Sequence, residues 1–283
     1  MKLDDKVAIV TGAGRGLGRA ISVALAKEGA RLVLMSRTMD ELDATFRETG
    51  LDRTSVLEFT GDVSKEADVK KMVDLSLKKF GTIDILVNNA GTIGPIGPTL
   101  SVNSEGWINT IWVNLVGTFL CTRSVLPVLA SKGHGKIINI AGAGEGPLAN
   151  FSSYASSKSA IIRFTEVLAA EVRDTGVYVN AIAPGSIKTK MTEEIFDAKE
   201  TGEKERERTR KVIETGGVPL ETPSAAVVFL ASSESDGLTG KIISAVHDDW
   251  KSFAGKAKEL SSSDAYTLRR VTPTPPDIRA KYR

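Results

Sequence analysis

The sequence predicts an α/β protein in which one doubly wound parallel sheet carries helices on both faces. Short apolar runs rich in β-branched residues alternate with longer amphipathic stretches such as GRAISVALAKEG and SAIIRFTEVLAAEV. A glycine-rich segment also follows the first run directly. Ligands of such sheets bind at the carboxyl ends of the strands, so the residues after each run are candidates for chemistry. The predicted strands are residues 6–11, 31–36, 55–60, 83–89, 136–141, 177–183 and 240–246.

Composition places the chain among ordinary folded proteins. Of its 283 residues, 41% are hydrophobic and 25% are charged, which is enough apolar content for a large core. Length alone allows one domain or two. The formal net charge of +2 gives no whole-protein argument for a nucleic acid or an anionic membrane as partner, and we expect neither.

Cysteine and histidine are too scarce for a disulfide framework or a zinc site. Cys121 is the single cysteine, which excludes an intramolecular disulfide and fits a reducing compartment. The two histidines, His134 and His247, leave little for a metal. The N-terminus MKLDDKVAIV has charges where a secretory signal would be apolar, and we expect no apolar run to approach the roughly 20 residues of a membrane span. We expect a soluble, cytoplasmic protein without a metal and without a membrane-length apolar run.

Two segments differ in composition from the rest of the chain. Residues 188–211 hold eight basic and seven acidic side chains, which predicts a helix solvated on most of its circumference and suited to act as a lid. From His247 onward the chain mixes Ser, Pro and charges with Trp250, Phe253 and Tyr266. We expect parts of this tail to dock and its last ten residues to be loose, and we divide the chain into a 1–246 domain and a 247–283 extension.

The segment TGAGRGLG predicts a phosphate-binding turn. Gly12, Gly16 and Gly18 allow the backbone to turn tightly and to approach a phosphate at the N-terminus of the next helix. The spacing T-G-x-x-x-G-x-G differs from the usual G-x-G-x-x-G pattern. The strand before the segment and the helix after it favour a nucleotide ligand over an ordinary tight turn.

The residues after the second strand bear on which dinucleotide binds. Many dinucleotide folds place an acid there for the ribose 2′-hydroxyl, but here the strand ends in Ser36 and Arg37. A guanidinium pairs with a 2′-phosphate, and Arg15 in the glycine loop supplies a second cation. These residues favour NADP(H), and NAD is the less favoured cofactor. In the alternative interpretation Arg37 is a solvated surface residue, and Asp40 or Glu41 binds the ribose.

Tyr154 and Lys158 form a candidate acid–base pair in the segment YASSK. Their spacing places them one turn apart on one face of a helix. A lysine cation beside a phenol favours the phenolate, so we expect Lys158 to lower the pKa of Tyr154 from about 10 toward the working range of a general acid or base. Alone, this pattern also fits an ordinary exposed pair.

Taken with its neighbours, the pair makes residues 4–245 resemble the classical short-chain dehydrogenase/reductase family. TGAGRGLG matches the cofactor loop of that family, and Asp62 with Val63 matches its adenine-contacting pair. NNAG, residues 88–91, matches the motif that ends the fourth strand, and PGSIKT, residues 184–189, matches the nicotinamide-contacting loop. Asn114 matches the catalytic asparagine of the family.

The resemblance implies a single-domain, Rossmann-like oxidoreductase that transfers hydride between a nicotinamide and the carbonyl or alcohol carbon of a small molecule. Tyr154 would protonate the carbonyl oxygen. Lys158 would lower the pKa of Tyr154 and hold the nicotinamide ribose, and Asn114 would hold a water in the proton path. The resemblance also implies a homodimer or homotetramer assembled through the helices that carry Asn114 and Tyr154. The positions that we assign to the cofactor are Gly12, Arg15, Gly16, Leu17, Gly18, Ser36, Arg37, Asp62, Val63, Asn89, Ala90, Gly91, Tyr154, Lys158, Pro184, Gly185, Ile187 and Thr189.

The chain departs from the family pattern where a serine normally binds the substrate oxygen. That position falls on Ala141 or Gly142, depending on the end from which it is counted, and neither side chain is a donor. Ser152 and Ser153 lie next to the tyrosine, and we expect them to act as helix caps.

Three explanations of the missing serine stay open. In the one we favour, Tyr154 and backbone amides or a water of the AGAGEG loop hold the substrate oxygen. In the second, Glu145 of the same loop reaches a hydroxylated or cationic substrate, although it equally fits a solvated carboxylate. In the third, the protein binds NADP without turnover and acts as a sensor or scaffold, which the retained Asn114, Tyr154 and Lys158 argue against.

The second departure is the tail. Family members usually end near a Gly-Gly pair after the last strand, whereas this chain continues as ISAVHDDWKSF and beyond. The tail either reaches over the substrate cleft or another subunit, or packs on its own body to cover the last strand. We expect Trp250, Tyr266, Arg269 and Arg270 to be the residues that dock.

Overall fold

Each of the seven apolar runs forms a strand, and the strands pair in one parallel sheet in the computed structural model, which describes residues 1–142 and 147–270. The order is β3-β2-β1-β4-β5-β6-β7, so the predicted doubly wound, Rossmann-like sheet is confirmed. The strands are β1 (Val7–Thr11), β2 (Arg31–Ser36), β3 (Val56–Thr60), β4 (Ile85–Asn88), β5 (Gly135–Ile140), β6 (Val177–Ala183) and β7 (Ile242–Ser244).

Helices cover both faces of this sheet, which is why its central strands read as unbroken apolar runs rather than alternating ones. Every residue of β1, β4 and β5 is buried. The helices described are α1 (Gly16–Lys27), α2 (Met39–Thr49), α3 (Glu66–Phe80), α4 (Ser104–Ile111), α5 (Gly117–Ser131), α6 (Ser152–Glu171), α7 (Lys190–Asp197), α8 (Glu203–Thr215), α9 (Glu221–Ala231) and α10 (Ala257–Ser262).

The chain order reverses between β1 and β4, and this switch point positions the site. Strand β2 lies on one side of β1 and β4 on the other, so the connections that leave the two strands diverge and open a crevice at their carboxyl ends. The glycine-rich loop follows β1 and the NNAG motif follows β4. Both predicted motifs therefore border the same crevice.

One long helix corrects an expectation from the sequence. Helices α4 and α5 are joined by the π-helical segment Trp112–Val116 into one continuous helix, Ser104–Ser131. This helix is long and apolar enough to cross a membrane by length and composition, so the expectation that no such run exists was wrong. In the fold, Cys121, Val125 and Leu129 of this helix are fully buried in the core on one face of the sheet.

From Trp250 to Arg269 the tail packs on the body of its own chain. After β7 a short 3₁₀ helix, Trp250–Lys256, precedes α10, and its two aromatic residues are buried in the core. The chain then returns along β7, where the backbone N–H of Ile242 donates to the carbonyl oxygen of Tyr266 at 2.8 Å. Arg269 completes the docking through an ion pair with Glu166 at 3.2 Å.

The outcome for the other tail residues is mixed. Trp250 and Tyr266 dock as expected, each against a neighbouring phenylalanine ring. Arg270 is exposed and makes no ion pair or hydrogen bond with residues 1–142 or 147–269, so it does not dock as expected. The expectation for the last ten residues lies outside the described part of the chain.

Replacing Trp250 by alanine is expected to destabilise the fold. The side chain is 8% exposed, its ring centroid lies 5.6 Å from that of Phe229, and its Nε1 donates to the carbonyl oxygen of Ala245 at 3.2 Å. Removing so large a buried ring costs about 3–5 kcal/mol, measured by urea unfolding. Leu100→Ala, at a side chain that is 99% exposed, is the control, and equal midpoints for the two variants would contradict a docked tail.

Candidate active site

A cavity of about 1110 Å³ lies at the carboxyl ends of the strands. Residues that follow all seven strands line it, as the topology requires. Every position assigned to the cofactor from the sequence is among them. Asn114 does not line the cavity, because it is fully buried behind the wall.

The glycine loop is held against the segment that follows β4. A Cβ on Gly12 would lie 2.9 Å from the Cα of Ala90, and a Cβ on Gly18 would lie 2.1 Å from the carbonyl oxygen of Gly12, so neither position admits a side chain. The Nδ2 of Asn89 donates to the carbonyl oxygens of Thr11 at 2.9 Å and Gly12 at 3.2 Å. Two motifs that are 70 residues apart in sequence thus form one rigid wall.

The first turn of α1 suits a phosphate. Its N-cap, Arg15, makes no side-chain capping bond, and the first turn contains no acidic residue. Helix N-termini leave backbone N–H groups without partners and carry a partial positive charge. Because this turn lines the cavity, those N–H groups offer an anion-binding site there.

Charged side chains surround the end of the cavity beside β2. Arg37 is exposed at the cavity wall, while Arg15 forms an ion pair with Glu41 through Nη1 and Oε1 at 3.3 Å. The Oγ of Ser36 donates to the carbonyl oxygen of Thr38 at 3.0 Å and so turns the chain into α2. Glu41 lines this end too, which the sequence offered only as an alternative.

Asp62 lies at the cavity wall after β3. Burial alone would raise the pKa of this carboxyl, but hydrogen bonds from the side chain and backbone of Ser64 and the positive charges of Arg37 and Lys65 hold its pKa below the ordinary value. Its Oδ1 accepts from Ser64 N at 2.9 Å and Ser64 Oγ at 2.7 Å. The carboxylate is therefore ionised and fixed in orientation.

Asn114 joins three segments behind the cavity wall. Its Oδ1 accepts from the backbone N–H of Thr92 at 2.8 Å, and its Nδ2 donates to the carbonyl oxygen of Thr92 at 3.0 Å and to Ser157 Oγ at 2.9 Å. Its backbone carbonyl accepts from Thr118 Oγ1 at 2.7 Å. The side chain is thus engaged in holding the π-helical segment, the loop after β4 and helix α6 together.

Tyr154 and Lys158 share one face of α6 and line the cavity, as the spacing predicted. Lys158 Nζ donates to the carbonyl oxygen of Ile140, at the end of β5, at 2.7 Å, and it lies 5.8 Å from the centroid of the Tyr154 ring. The lysine is only 4% exposed, so its ammonium group is held by backbone rather than by water.

The expected direction of the tyrosine pKa was wrong for the protein alone. Burial raises the pKa of Tyr154 to about 12, and burial lowers the pKa of Lys158 to about 8. Both shifts have one cause, since a low-dielectric site disfavours the charged form of each group. The desolvated ammonium does not overcome this effect on the neighbouring phenol.

At the position of the missing serine, Gly142 adopts an unusual backbone conformation. Gly142 has φ of +112°, which L side chains rarely adopt, and a Cβ there would meet only Pro184 Cδ at 3.6 Å. The backbone N–H of Ala141 is already bonded to the carbonyl oxygen of Ile182 at 2.8 Å. Both residues line the cavity, and Glu145 lies outside the described residues.

Ser152 and Ser153 do not cap α6, which corrects the expectation for both. The helix begins at Ser152 itself, and the residue before it makes no side-chain capping bond. Ser152 Oγ instead accepts from Trp107 Nε1 at 3.0 Å. Ser153 Oγ is buried and has no hydrogen-bond partner in the described part of the chain.

The cavity is also lined by residues that were not assigned to the site from the sequence. Helices α7 and α8 border it, in the segment expected to form a lid, and the turn after β7 adds His247. The position of His247 just beyond a parallel strand was the signal that pointed there. The additional residues are Asn109, Met191, Glu194, Ile195, Glu205, Arg208, Thr209, Val212, Val218, Ser244, Val246 and His247.

The low pKa of Lys158 implies that its buried ammonium group destabilises the fold at neutral pH. Below pH 8 the ammonium is charged in both the folded and the unfolded chain, and the full cost of burying it applies; this cost falls as the pH rises from about 8 toward 10.5. Lys158→Met is therefore expected to raise the free energy of unfolding by on the order of 2 kcal/mol at pH 7 and by less at pH 9.5. Urea unfolding at both pH values measures it.

Lys27→Met, at an exposed lysine of α1, is the matched control, and its effect should not depend on pH. A gain for Lys158→Met that is the same at both pH values would contradict the lowered pKa.

Comparison with known proteins agrees with this geometry. A family model described as short chain dehydrogenase matches residues 6–200. The Caenorhabditis elegans protein "Dehydrogenase/reductase SDR family member 4" is 36% identical over 247 residues, which cover 86% of this chain and 94% of that protein.

Two solved structures extend the agreement to three dimensions. A gluconate 5-dehydrogenase from Burkholderia cenocepacia in complex with NADP and tartrate has 30% identity and a TM-score of 0.76, over 86% of this chain and 94% of that one. An NAD⁺-bound xylitol dehydrogenase has 28% identity and a TM-score of 0.77, over 86% of this chain and 98% of that one. The chain therefore belongs to the short-chain dehydrogenase/reductase family of oxidoreductases.

Proposed function

We propose that this protein catalyses the NADP(H)-dependent interconversion of a carbonyl and an alcohol on a small molecule, with Tyr154 as general acid and base and without a catalytic serine. The observation that carries the proposal is that Tyr154, Lys158 and the uncapped N-terminus of α1 line one cavity. The residues of the glycine loop, NNAG and PGSIKT would hold the dinucleotide, which when bound supplies or accepts a hydride.

Tyr154 supplies the proton that the reduction requires. During reduction a hydride adds to the carbonyl carbon and the Tyr154 hydroxyl gives its proton to the carbonyl oxygen, so that the alcohol forms. A pKa of about 12 keeps Tyr154 protonated at neutral pH, as a general acid requires. The resulting phenolate would be stabilised by the Lys158 ammonium on the next turn of the helix.

Lys158 is suited to return the proton to Tyr154. Its pKa of about 8 lies near neutral pH, so both protonation states are accessible. Its Nζ stays fixed by the carbonyl oxygen of Ile140, and a Cβ on Gly91 would lie 3.7 Å from that Nζ, so the NNAG segment closes over it. Asn114 keeps α6, and with it both groups, in register with that segment.

Replacing Tyr154 by phenylalanine is expected to lower kcat for carbonyl reduction about a hundredfold or more, because the proton donor is lost. Binding of NADPH, measured by fluorescence titration, should change little. NADPH and NADH oxidation over a broad panel of aldehydes and ketones measures the turnover. Full activity of the variant would contradict the assigned role.

Gly142→Ser tests the missing serine in the same panel. Its φ of +112° strains a side chain, so we expect stability to fall by about 1–3 kcal/mol without a large gain in rate. A wild type that binds NADPH but does not turn over, combined with turnover by this variant, would instead favour the sensor or scaffold interpretation.

The preference for NADP(H) rests on the cations beside β2. Relatives in the family include both an NADP complex and an NAD⁺ complex, so the family alone does not decide the cofactor. Here Arg37 stands exposed at the cavity wall and forms no ion pair within the described residues. Arg15 is paired with Glu41, which a 2′-phosphate would have to displace or accommodate.

Arg37→Gln is expected to raise KM for NADPH about ten- to a hundredfold and to leave KM for NADH nearly unchanged, because a charge-assisted phosphate contact is lost. Glu41→Gln frees Arg15 and is expected to lower KM for NADPH. Arg47→Gln, at an exposed residue of the same helix, is the control. If Glu41→Gln instead weakens NADH alone, then Glu41 binds the ribose and NAD is the cofactor.

We also propose a homodimer or homotetramer that forms through the continuous α4–α5 helix and α6. Four large apolar side chains on these helices are 42–53% exposed, namely Ile108, Trp112, Phe119 and Val167. The ring of Phe119 packs edge-on against Phe164 at 6.3 Å, so the patch continues from one helix to the other. A second copy of the chain would bury this surface.

Phe119→Arg combined with Val167→Arg is expected to shift the protein to monomer in light scattering coupled to gel filtration, because two buried charges would face each other across the interface. Leu100→Arg, at a fully exposed leucine outside these helices, is expected to leave the assembly unchanged. A wild type that is monomeric would refute the proposal.

A further inference from the structure

The turn after β7 brings an imidazole to the cavity. Residues 245–248 form this turn, and His247 lines the cavity. Ser244 fixes both ends, since its backbone N–H donates to Asp248 Oδ2 at 2.7 Å and its Oγ accepts from the backbone N–H of His247 at 3.1 Å. His247 is therefore held in place by its backbone and leaves its side chain free to contact a ligand.

The docked tail anchors this turn against the loop after β6. Trp250 Nε1 donates to the carbonyl oxygen of Ala245, and the backbone N–H of Ala245 donates to the carbonyl oxygen of Ala183 at 2.9 Å. Val246 packs closely on Gly185, since a Cβ on Gly185 would lie 2.7 Å from Val246 Cγ2. Trp250 thus helps to set the position of His247.

Arg208 lies near the same loop on α8. Its Nη2 donates to Ser186 Oγ at 3.0 Å, which ties α8 to the residue after Gly185. Its nearest carboxylate, on Glu205, is 3.8 Å from Nη1, which is too long for a hydrogen bond. A guanidinium has five N–H donors, so most of those on Arg208 remain available to a ligand.

The loop after β6, residues 184–189, makes contacts at both of its ends. At one end a Cβ on Gly16 would lie 3.3 Å from Thr189 Cγ2, so Thr189 borders the phosphate site. At the other end Gly185 and Ser186 contact Val246 and Arg208. Arg208 and the residue before His247 thus contact residues 185–186, whereas the glycine loop contacts residue 189.

We propose that His247 and Arg208 bind a carboxylate group of the substrate, which restricts the substrates to carbonyl or hydroxy compounds that also carry an acid. The inference rests on the proposed function of the same site. Glu194 and Glu205 line the cavity as well, and Glu205 forms an ion pair with Arg208 at 3.8 Å, but no hydrogen bond joins either carboxylate to His247 or Arg208 in the described chain. Two nitrogen donors on separate elements suit a two-oxygen anion, as a charge-assisted pair.

The test compares three carbonyl compounds of one skeleton that end in a carboxylate, a primary amide or an ammonium group. For the wild type, kcat/KM is expected to be about ten- to a hundredfold higher for the carboxylate than for the amide. Arg208→Gln and His247→Ala should each reduce that ratio, mainly through KM. Arg210→Gln, on the same helix but paired with Glu207 and away from the cavity, should leave it unchanged.

Calorimetric binding of the corresponding non-reducible dicarboxylate to the protein saturated with NADP⁺ separates this inference from the proposed function. Binding that weakens in Arg208→Gln but not in Arg210→Gln supports the carboxylate site, even if no carbonyl compound is reduced. Reduction of the amide or the ammonium compound as fast as the carboxylate overturns it, and preference for the ammonium compound would assign the selectivity to Glu194 and Glu205. Dicarboxylate binding that is unaffected by Arg208→Gln and His247→Ala also overturns it.

Discussion

The site depends on one buried amide. A primary amide offers one strong acceptor and two donors, and in Asn114 these join the loop after β4, the π-helical segment and α6. The first of these segments follows the NNAG motif, the second contains Asn114 itself, and the third carries the Tyr154–Lys158 pair. Because the amide has no exposure to water, each of its bonds is made in a medium where a missing partner would be costly. No aliphatic side chain of similar size supplies such a junction.

The same lack of water explains the electrostatics of the site. Tyr154 is pushed toward its neutral form and Lys158 toward deprotonation, although the two groups lie on adjacent turns. A charged lysine that is only 4% exposed reduces stability even though its Nζ donates to the carbonyl oxygen of Ile140. Retaining such a group is typical of a site that is tuned for proton transfer rather than for stability.

Sequence periodicity was sufficient for the fold because buried parallel strands are continuous apolar runs, and seven of these were distinct. It was also sufficient to bring the motifs together, since each follows a strand. The sequence did not reveal the π-helical segment Trp112–Val116, in which Asn114 makes a tertiary hydrogen bond to Ser157 that local propensity does not report. Ser152 was misassigned because a distant donor, Trp107 Nε1, takes its oxygen.

Charges were the least predictable part of the site from sequence. Whether Arg15 pairs with Glu41 depends on the packing of α1 against α2, and local spacing says nothing about a contact between residues 26 positions apart. The direction of the Tyr154 pKa depended on burial, which a neighbouring lysine in the sequence does not report. His247 was classed with the tail until the fold showed that the turn after β7 faces the cavity.

The backbone bond between Ile242 and Tyr266 has a consequence for the solubility of the sheet. An open sheet has two edge strands whose free backbone groups are templates for strands of other molecules. Here the chain covers part of the β7 edge with its own tail. On the β3 edge, the side chain of Glu58 is 8% exposed and paired with Arg53, so an added strand would bury a charged pair. Both edges therefore oppose growth of the sheet from one molecule into the next.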